Sequence, residues 1–207
     1  EHTLVKCLDH MEKNPDTGAL GVRMIDGKGN FLPESKRSFP TPRIAFFKIF
    51  GFSRLFPRSR IFSRYHLGFM DENKMNDVEV LPGAFMMLRK AALDKIGLLD
   101  EDFFMYGEDI DLCYRIKQNG WRVMYYPQVM ITHLKGASSG IRSESKAITR
   151  ATREIKVRLA VASTEAMKIF YRKHWMEEYP KMVTRLVFIG IGILKLFRIL
   201  RFRLAKG

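Results

Sequence analysis

The sequence predicts an α/β fold that continues into a long helical extension. Three observations carry this expectation. Apolar runs of strand length, at residues 19–25, 78–81 and 84–88, alternate with stretches whose apolar residues recur at helical spacing. Turn pairs such as Asp26-Gly27, Pro82-Gly83 and Asn119-Gly120 stand between them. From Ser143 to His174 a helical pattern then runs without Gly or Pro, and Pro180 opens a second one. The change of style places a boundary near residue 140, with residues 1–140 as one domain and 141–207 as a basic, membrane-associating helical extension. No internal repeat is present.

Each element has its own reason. Leu4, Leu8 and Met11 share one face of a helix over residues 3–13, which Asn14-Pro15 stops. Residues 19–25 read as a buried strand. Three prolines between Phe31 and Pro42 predict an extended loop. Short helices are expected over residues 43–69, with turns at Gly51 and Pro57. Residues 78–81 and 84–88 read as strands broken by Pro82-Gly83, and residues 89–96 as a helix ending at Gly97. Ile110, Cys113, Tyr114 and Ile116 fall at helical spacing over residues 108–118. Residues 123–126 and 129–132 are expected as two short strands separated by Pro127.

Charge distribution bears on the partner. The chain carries a formal net charge of +14. Residues 35–70 hold eight basic and no acidic groups, and residues 142–207 hold sixteen basic and five acidic ones. The segments between and before them are mildly acidic. In both basic blocks Lys and Arg are interleaved with Phe, Ile and Leu, a composition that suits an anionic membrane surface. Nucleic acid is the less favoured partner, because a single-strand binder would space its stacking aromatics with Gly. The longest apolar run, residues 186–194, is too short to span a bilayer, so an in-plane helix is expected. Cys7 and Cys113 match no metal-ligand spacing and fit a reducing compartment.

The chemistry concentrates in residues 81–133. Glu108 and Asp109 open a helix, where acidic side chains commonly serve as capping and dipole partners. Asp109 and Asp111 spell D-x-D but point roughly 200° apart on a helix, so they cannot share one ion. Asp111 is instead expected to pair with an Arg or a backbone amide. Asp100-Glu101-Asp102 is read as an acidic loop, and Trp121, Phe103 and Phe104 as core.

Taken in order, Gly83-Ala84 after a strand, Asp100-Glu101 before Phe103-Phe104, Glu108-Asp109 with Asp111-Leu112-Cys113, then Arg115, Gly120, Tyr126-Pro127 and His133 closely resemble family 2 glycosyltransferases. The likeness is strongest to bacterial enzymes that build cell-surface polysaccharides with rhamnose-like or galactose-like sugars. It implies a GT-A fold and transfer, with inversion, from a nucleotide-sugar donor to a saccharide or polyprenyl-linked acceptor. Asp109 is then the catalytic base and Glu108 its partner. Gly83, Ala84 and Tyr106 line the acceptor pocket, and His133 helps hold a divalent metal, Mg²⁺ or Mn²⁺, on the leaving diphosphate. The implied location is the cytoplasmic face of the inner membrane.

The opening elements of such enzymes, including their metal-binding D-x-D, are not found before Ala19. The expectation is therefore an incomplete GT-A domain that supplies the acceptor side and is weakly active or inactive alone. The competing expectation is a non-catalytic module that binds a membrane surface or nucleic acid.

Overall fold

The computed structural model describes residues 2–134, 136 and 151–204. They form two compact units, Glu1–Leu99 with Asp109–His133, and Asp100–Glu108 with Leu134–Gly207.

The first unit is a mixed α/β layer. Its helices are α1 (Thr3–Lys13), α2 (Pro42–Ile49), α3 (Phe52–Leu55), α4 (Lys90–Ile96) and α5 (Glu108–Gln118), the last beginning at the unit's edge. Its strands are β1 (Thr17–Ile25), β2 (Asn76–Asp77), β3 (Met87–Leu88) and β4 (Arg122–Thr132), in the order β2-β4-β1-β3. The long strands β1 and β4 run parallel, and the two short strands flank them antiparallel.

Period-2 alternation along β1 and β4 feeds both faces of the sheet. Ala19, Val123 and Tyr125 pack with Leu112, Cys113 and Ile116 of α5 and with Val80 and Leu81. Leu20, Val22, Met124 and Tyr126 pack with Cys7 and Met11 of α1 on the other face. Gly21 makes room for this arrangement, since a Cβ there would meet Leu81 Cδ2 at 2.4 Å.

Three expected elements differ. Residues 122–132 form one strand rather than two. Its register against β1 jumps from Val22↔Tyr126 to Arg23↔Met130, so Pro127 sits in an irregularity where no ladder donor is needed. The run 78–81 forms no strand of its own, only the Arg37↔Val80 bridge after the strand Asn76–Asp77, and the run 84–88 yields only Met87–Leu88. Here Leu81 N–H donates to Cys113 Sγ at 3.4 Å, and Pro82 has no donor, so the ladder cannot continue. Phe104 is 66% exposed, with the Arg158 guanidinium 4.9 Å from its ring centroid, whereas Phe103 is core at 7%.

The second unit is built on α6 (Arg153–His174) and α7 (Lys181–Leu204). Thr152 caps α6, its Oγ1 accepting from Ile155 N–H at 3.3 Å. The expected helical pattern over residues 143–150 lies outside the described residues. Pro180 precedes α7, and its carbonyl accepts from Thr184 N–H at 3.1 Å. Within this unit Asp102 binds Lys173 Nζ at 2.6 Å, and Asp100 binds the same ammonium. The acidic loop 100–102 is thereby tied to α6. No described helix is long and apolar enough to cross a membrane.

Candidate functional site

The site is assembled on the sheet-facing side of the turn between residues 81 and 83. α5 is followed by Gly120, in the left-handed region at φ 83°, and the chain then returns along β4. This reversal sets the N-terminal turn of α5, with Asp109, toward the end at which the parallel strands finish. In α/β sheets that end is where ligands usually bind.

A second segment reaches the same place. Arg37 and Val80 bridge antiparallel, Arg37 N–H donating to Val80 O and Val80 N–H to Arg37 O, each at 3.0 Å. The bridge aims the Arg37 side chain at α5. Arg37 Nη2 donates to Asp109 Oδ2 at 2.6 Å and to Leu81 O at 3.1 Å. Gly83 N–H donates to the same Oδ2 at 3.2 Å. Asp109 Oδ1 accepts from Ile110 N–H at 2.9 Å. The two side chains are 12% and 15% exposed, so the ion pair is shielded yet open on one side. Burial by itself would lower the Arg37 pKa, but the Asp109 carboxylate and the Tyr65 hydroxyl outweigh it and hold the guanidinium above its ordinary value.

The arrangement has a chemical consequence. Oδ2 is committed to two donors, one charged. Oδ1 receives only a neighbouring amide among the bonds described. Arg37 and the Leu81 carbonyl were not legible in the sequence, since 72 positions separate Arg37 from Asp109. The loop carrying Arg37 is held in turn by its neighbours. Lys36 is 2% exposed and its Nζ donates to Leu67 O at 2.7 Å. Phe39 N–H donates to Glu79 Oε2 at 2.7 Å, and Arg64 pairs with Glu79 at 3.3 Å.

The other sequence-singled residues are distributed as follows. Gly83 lies beside Asp109, where an added Cβ would stand 3.7 Å from Asp109 Cβ, and Ala84 is exposed next to it. Glu108 precedes Asp109 at the start of α5 but is grouped with the helical unit, as is Tyr106. Tyr106 has a left-handed backbone, φ 70°, an uncommon conformation for an aromatic residue. It lines a shallow cavity of about 200 Å³ with Lys156, Ser163, Arg198 and Arg201. His133 continues the β1–β4 pairing, its N–H donating to Ile25 O at 2.8 Å. Among the described residues no three His, Cys, Asp or Glu side chains converge as a metal site. His133 is thus a single donor of that type, and the described residues alone do not fit a divalent cation.

Asp111 has the structural role expected of it. Arg115 Nε donates to Asp111 Oδ2 at 2.7 Å, and the guanidinium also reaches Ile96 O and Leu98 O, each at 2.8 Å. Trp121 packs against the cluster that includes Ile116, as its position after Gly120 predicts.

The first unit also exposes the basic-aromatic segment. Phe46, Phe47, Phe50, Phe52, Phe56 and Phe62 form a chain of ring contacts with centroids 4.5–6.3 Å apart. Phe46, Phe50 and Phe56 remain 49%, 65% and 49% exposed.

Comparison with known proteins finds glycosyltransferases. An N-acetylglucosaminyl-diphospho-decaprenol L-rhamnosyltransferase of Mycobacterium tuberculosis is 29% identical over 133 residues, 64% of this chain and 42% of the relative. A low-salt glycan biosynthesis hexosyltransferase of Haloferax volcanii is 30% identical over 99 residues, 48% of this chain and 27% of the relative. The rhamnosyltransferase WbbL of Escherichia coli is 38% identical over 56 residues, 27% of this chain and 21% of the relative. The matched part spans less than half the length of each. Residues 48–156 match the family described as Glycosyltransferase like family 2, and that stretch is more than half of the 207-residue chain; the protein belongs to this family.

Proposed function

We propose that this chain supplies the acceptor side and the catalytic base of an inverting glycosyltransferase of GT-A type, working in cell-surface glycan synthesis. The acceptor is a saccharide carried on a polyprenyl diphosphate, and the donor is a nucleotide-sugar. The observation that carries the reading is the fixed carboxylate. Asp109 is oriented by Arg37 and Gly83 through Oδ2, at the strand-end side of an α/β layer, in a chain of this family.

The step follows from that geometry. An acceptor hydroxyl attacks the anomeric carbon of the donor, a new C–O bond forms, and the bond to the nucleoside diphosphate breaks. The hydroxyl proton passes to Asp109 Oδ1, and the diphosphate leaves with the bonding electron pair. A single displacement of this kind inverts the anomeric centre. A positioned carboxylate contributes roughly 10²–10⁴-fold to such a step. Gly83, with no side chain, leaves space in front of Asp109 for the sugar, and the exposed Ala84 beside it is assigned to acceptor contact. Our reading puts the reaction at the cytoplasmic face of a membrane; in its favour, a lipid-linked acceptor is confined to a membrane, and the exposed Phe46, Phe50 and Phe56 lie among Arg and Lys.

The mycobacterial relative's name supplies the choice of test substrates. The protein as the cell makes it is incubated with a nucleoside-diphospho-rhamnose and an N-acetylglucosaminyl-diphospho-polyprenol, and the product's anomeric configuration is read by NMR. Product with configuration opposite to the donor supports the reading. Product with retained configuration contradicts a single displacement with Asp109 as base.

A further inference from the structure

The two faces of α7 are unlike each other, and only one of them meets other described residues. The inner face meets α6. Tyr171 and Thr184 share a hydrogen bond of 3.1 Å, the Phe188 ring lies edge-on to Tyr171 at 5.7 Å, Lys195 Nζ donates to Glu165 at 2.9 Å and Arg198 donates to Ser163 Oγ at 2.7 Å. Residues 184, 188, 195 and 198 repeat at helical spacing, so they define one line of contact.

The opposite line is Met182, Leu186, Ile189, Ile193, Leu196, Leu200 and Leu204. These seven residues recur every three or four positions, and their exposures are 72%, 61%, 58%, 64%, 59%, 44% and 77%. Phe197 beside them is 63% exposed. An unbroken apolar stripe along a 24-residue helix requires a partner.

Charge identifies that partner. α7 contains no acidic residue, and its Lys181, Arg185 and Arg203 project along one flank of the stripe, with Arg201 on the other. Two copies pairing through the stripe would bring like charges together on both flanks, which opposes self-association. The helix is about 36 Å long at the usual rise, yet Arg185 and Lys195 bracket an uncharged run of residues 186–194 only, and Arg198, Arg201 and Arg203 follow, so no stretch of it is apolar enough to cross a bilayer. An apolar stripe bordered by cations only fits the boundary between acyl chains and anionic headgroups.

We propose that α7 lies in the plane of an anionic bilayer, with Ile189, Ile193 and Leu196 at the centre of its buried stripe and Arg185, Arg201 and Arg203 against lipid phosphates. This deepens the functional reading above, for which it names the surface where a lipid-borne acceptor is met. Its test needs no turnover.

The whole chain is sedimented with phosphatidylcholine vesicles, with and without phosphatidylglycerol. The wild type binds the anionic vesicles about tenfold more tightly or better. Ile189→Gln with Ile193→Gln, and separately Arg185→Gln with Arg203→Gln, each lower that binding about tenfold, with helix content unchanged by circular dichroism. Equal binding to both vesicle types, or wild-type binding by the Ile→Gln variant, overturns the proposal. So does a dimer in analytical ultracentrifugation that the Ile→Gln variant dissolves, since a second copy would then cover the stripe. Should the Ile→Gln variant lose helix, a polarity-sensitive dye on Ile193→Cys decides, because Cys7 and Cys113 are buried. A blue shift on anionic vesicles supports the proposal, and no shift overturns it. Vesicle binding without sugar transfer would leave this inference standing and remove only the catalytic reading.

Discussion

Arg37 and Asp109 meet at 2.6 Å through a strand bridge, although 72 residues separate them. The guanidinium also binds Leu81 O, so one side chain joins the loop before α2, the turn before Gly83 and the first turn of α5. It is a positioning residue for the carboxylate, and its removal has two effects. Arg37→Ala leaves a shielded carboxylate without its cation, which costs about 3–5 kcal/mol in thermal or denaturant unfolding. Arg37→Lys keeps the charge but loses the planar guanidinium whose Nη2 bridges Asp109 and the Leu81 carbonyl. In the complete enzyme it is expected to lower kcat while leaving KM for the acceptor nearly unchanged. A rise in KM alone would mark Arg37 as an acceptor contact instead.

Gly83 separates space from backbone strain. An added methyl group would meet only Asp109 Cβ at an ordinary 3.7 Å. Gly83→Ala is therefore expected to fold with stability within about 0.5 kcal/mol of wild type. Gly83→Leu is expected to fold as well and to raise KM for the acceptor, because its side chain enters the space before Oδ1. Unchanged acceptor kinetics in Gly83→Leu would show that the acceptor does not pass there.

Asp111 is the control for its neighbour two positions away. Its side chain is 1% exposed and bound by Arg115, which in turn holds the end of α4 through Ile96 O. Asp111→Ala is expected to cost about 3 kcal/mol in chemical denaturation, and the residual folded enzyme to keep its kcat. Loss of kcat with stability preserved would reverse the roles assigned to Asp109 and Asp111.

His66 predicts a pH dependence of stability. Burial, followed by the charges of Lys48, Arg37 and Lys36, pushes its pKa down from 6.5 to about 3. The unfolded chain therefore takes up a proton between these values while the folded chain does not. Stability contributed by the neutral ring is complete above pH 6.5 and is lost as pH falls toward 3, at up to about 1.4 kcal/mol per pH unit for one proton. Denaturation midpoints between pH 7 and 4 should fall less steeply in His66→Gln than in wild type. Parallel curves would contradict the assignment.

Local periodicity made much of the fold legible. The helical spacing of Leu4, Leu8 and Met11 announced α1, although Cys7 and Met11 rather than the exposed Leu4 and Leu8 are its buried side chains; the run from Ala19 to Ile25 announced β1, and Pro180 marked the start of α7. Strand lengths were less readable, because a ladder depends on where each amide finds a partner. Leu81 N–H found Cys113 Sγ, and Pro127 was absorbed in an irregularity of β4. Phe103 and Phe104 were indistinguishable by type, yet one is core and the other exposed. In the candidate site, the spaced pattern from Gly83 to His133 singled out Asp109. Lys36 and Arg37 fell in the basic block 35–70 read as suiting an anionic membrane surface, and only tertiary bonds, to Leu67 O and to Asp109, show that one is buried and the other paired.

The most direct measurement is kcat for Asp109→Asn in the protein as the cell makes it. Asparagine can still accept from Arg37 through its amide oxygen, so circular dichroism should show a folded protein, and substrate binding should persist. Its neutral amide cannot take the acceptor proton. The account predicts that kcat falls by roughly 10²–10⁴-fold with KM little changed. Turnover within a few-fold of wild type would contradict Asp109 as the base and leave the Arg37 pair as structure only.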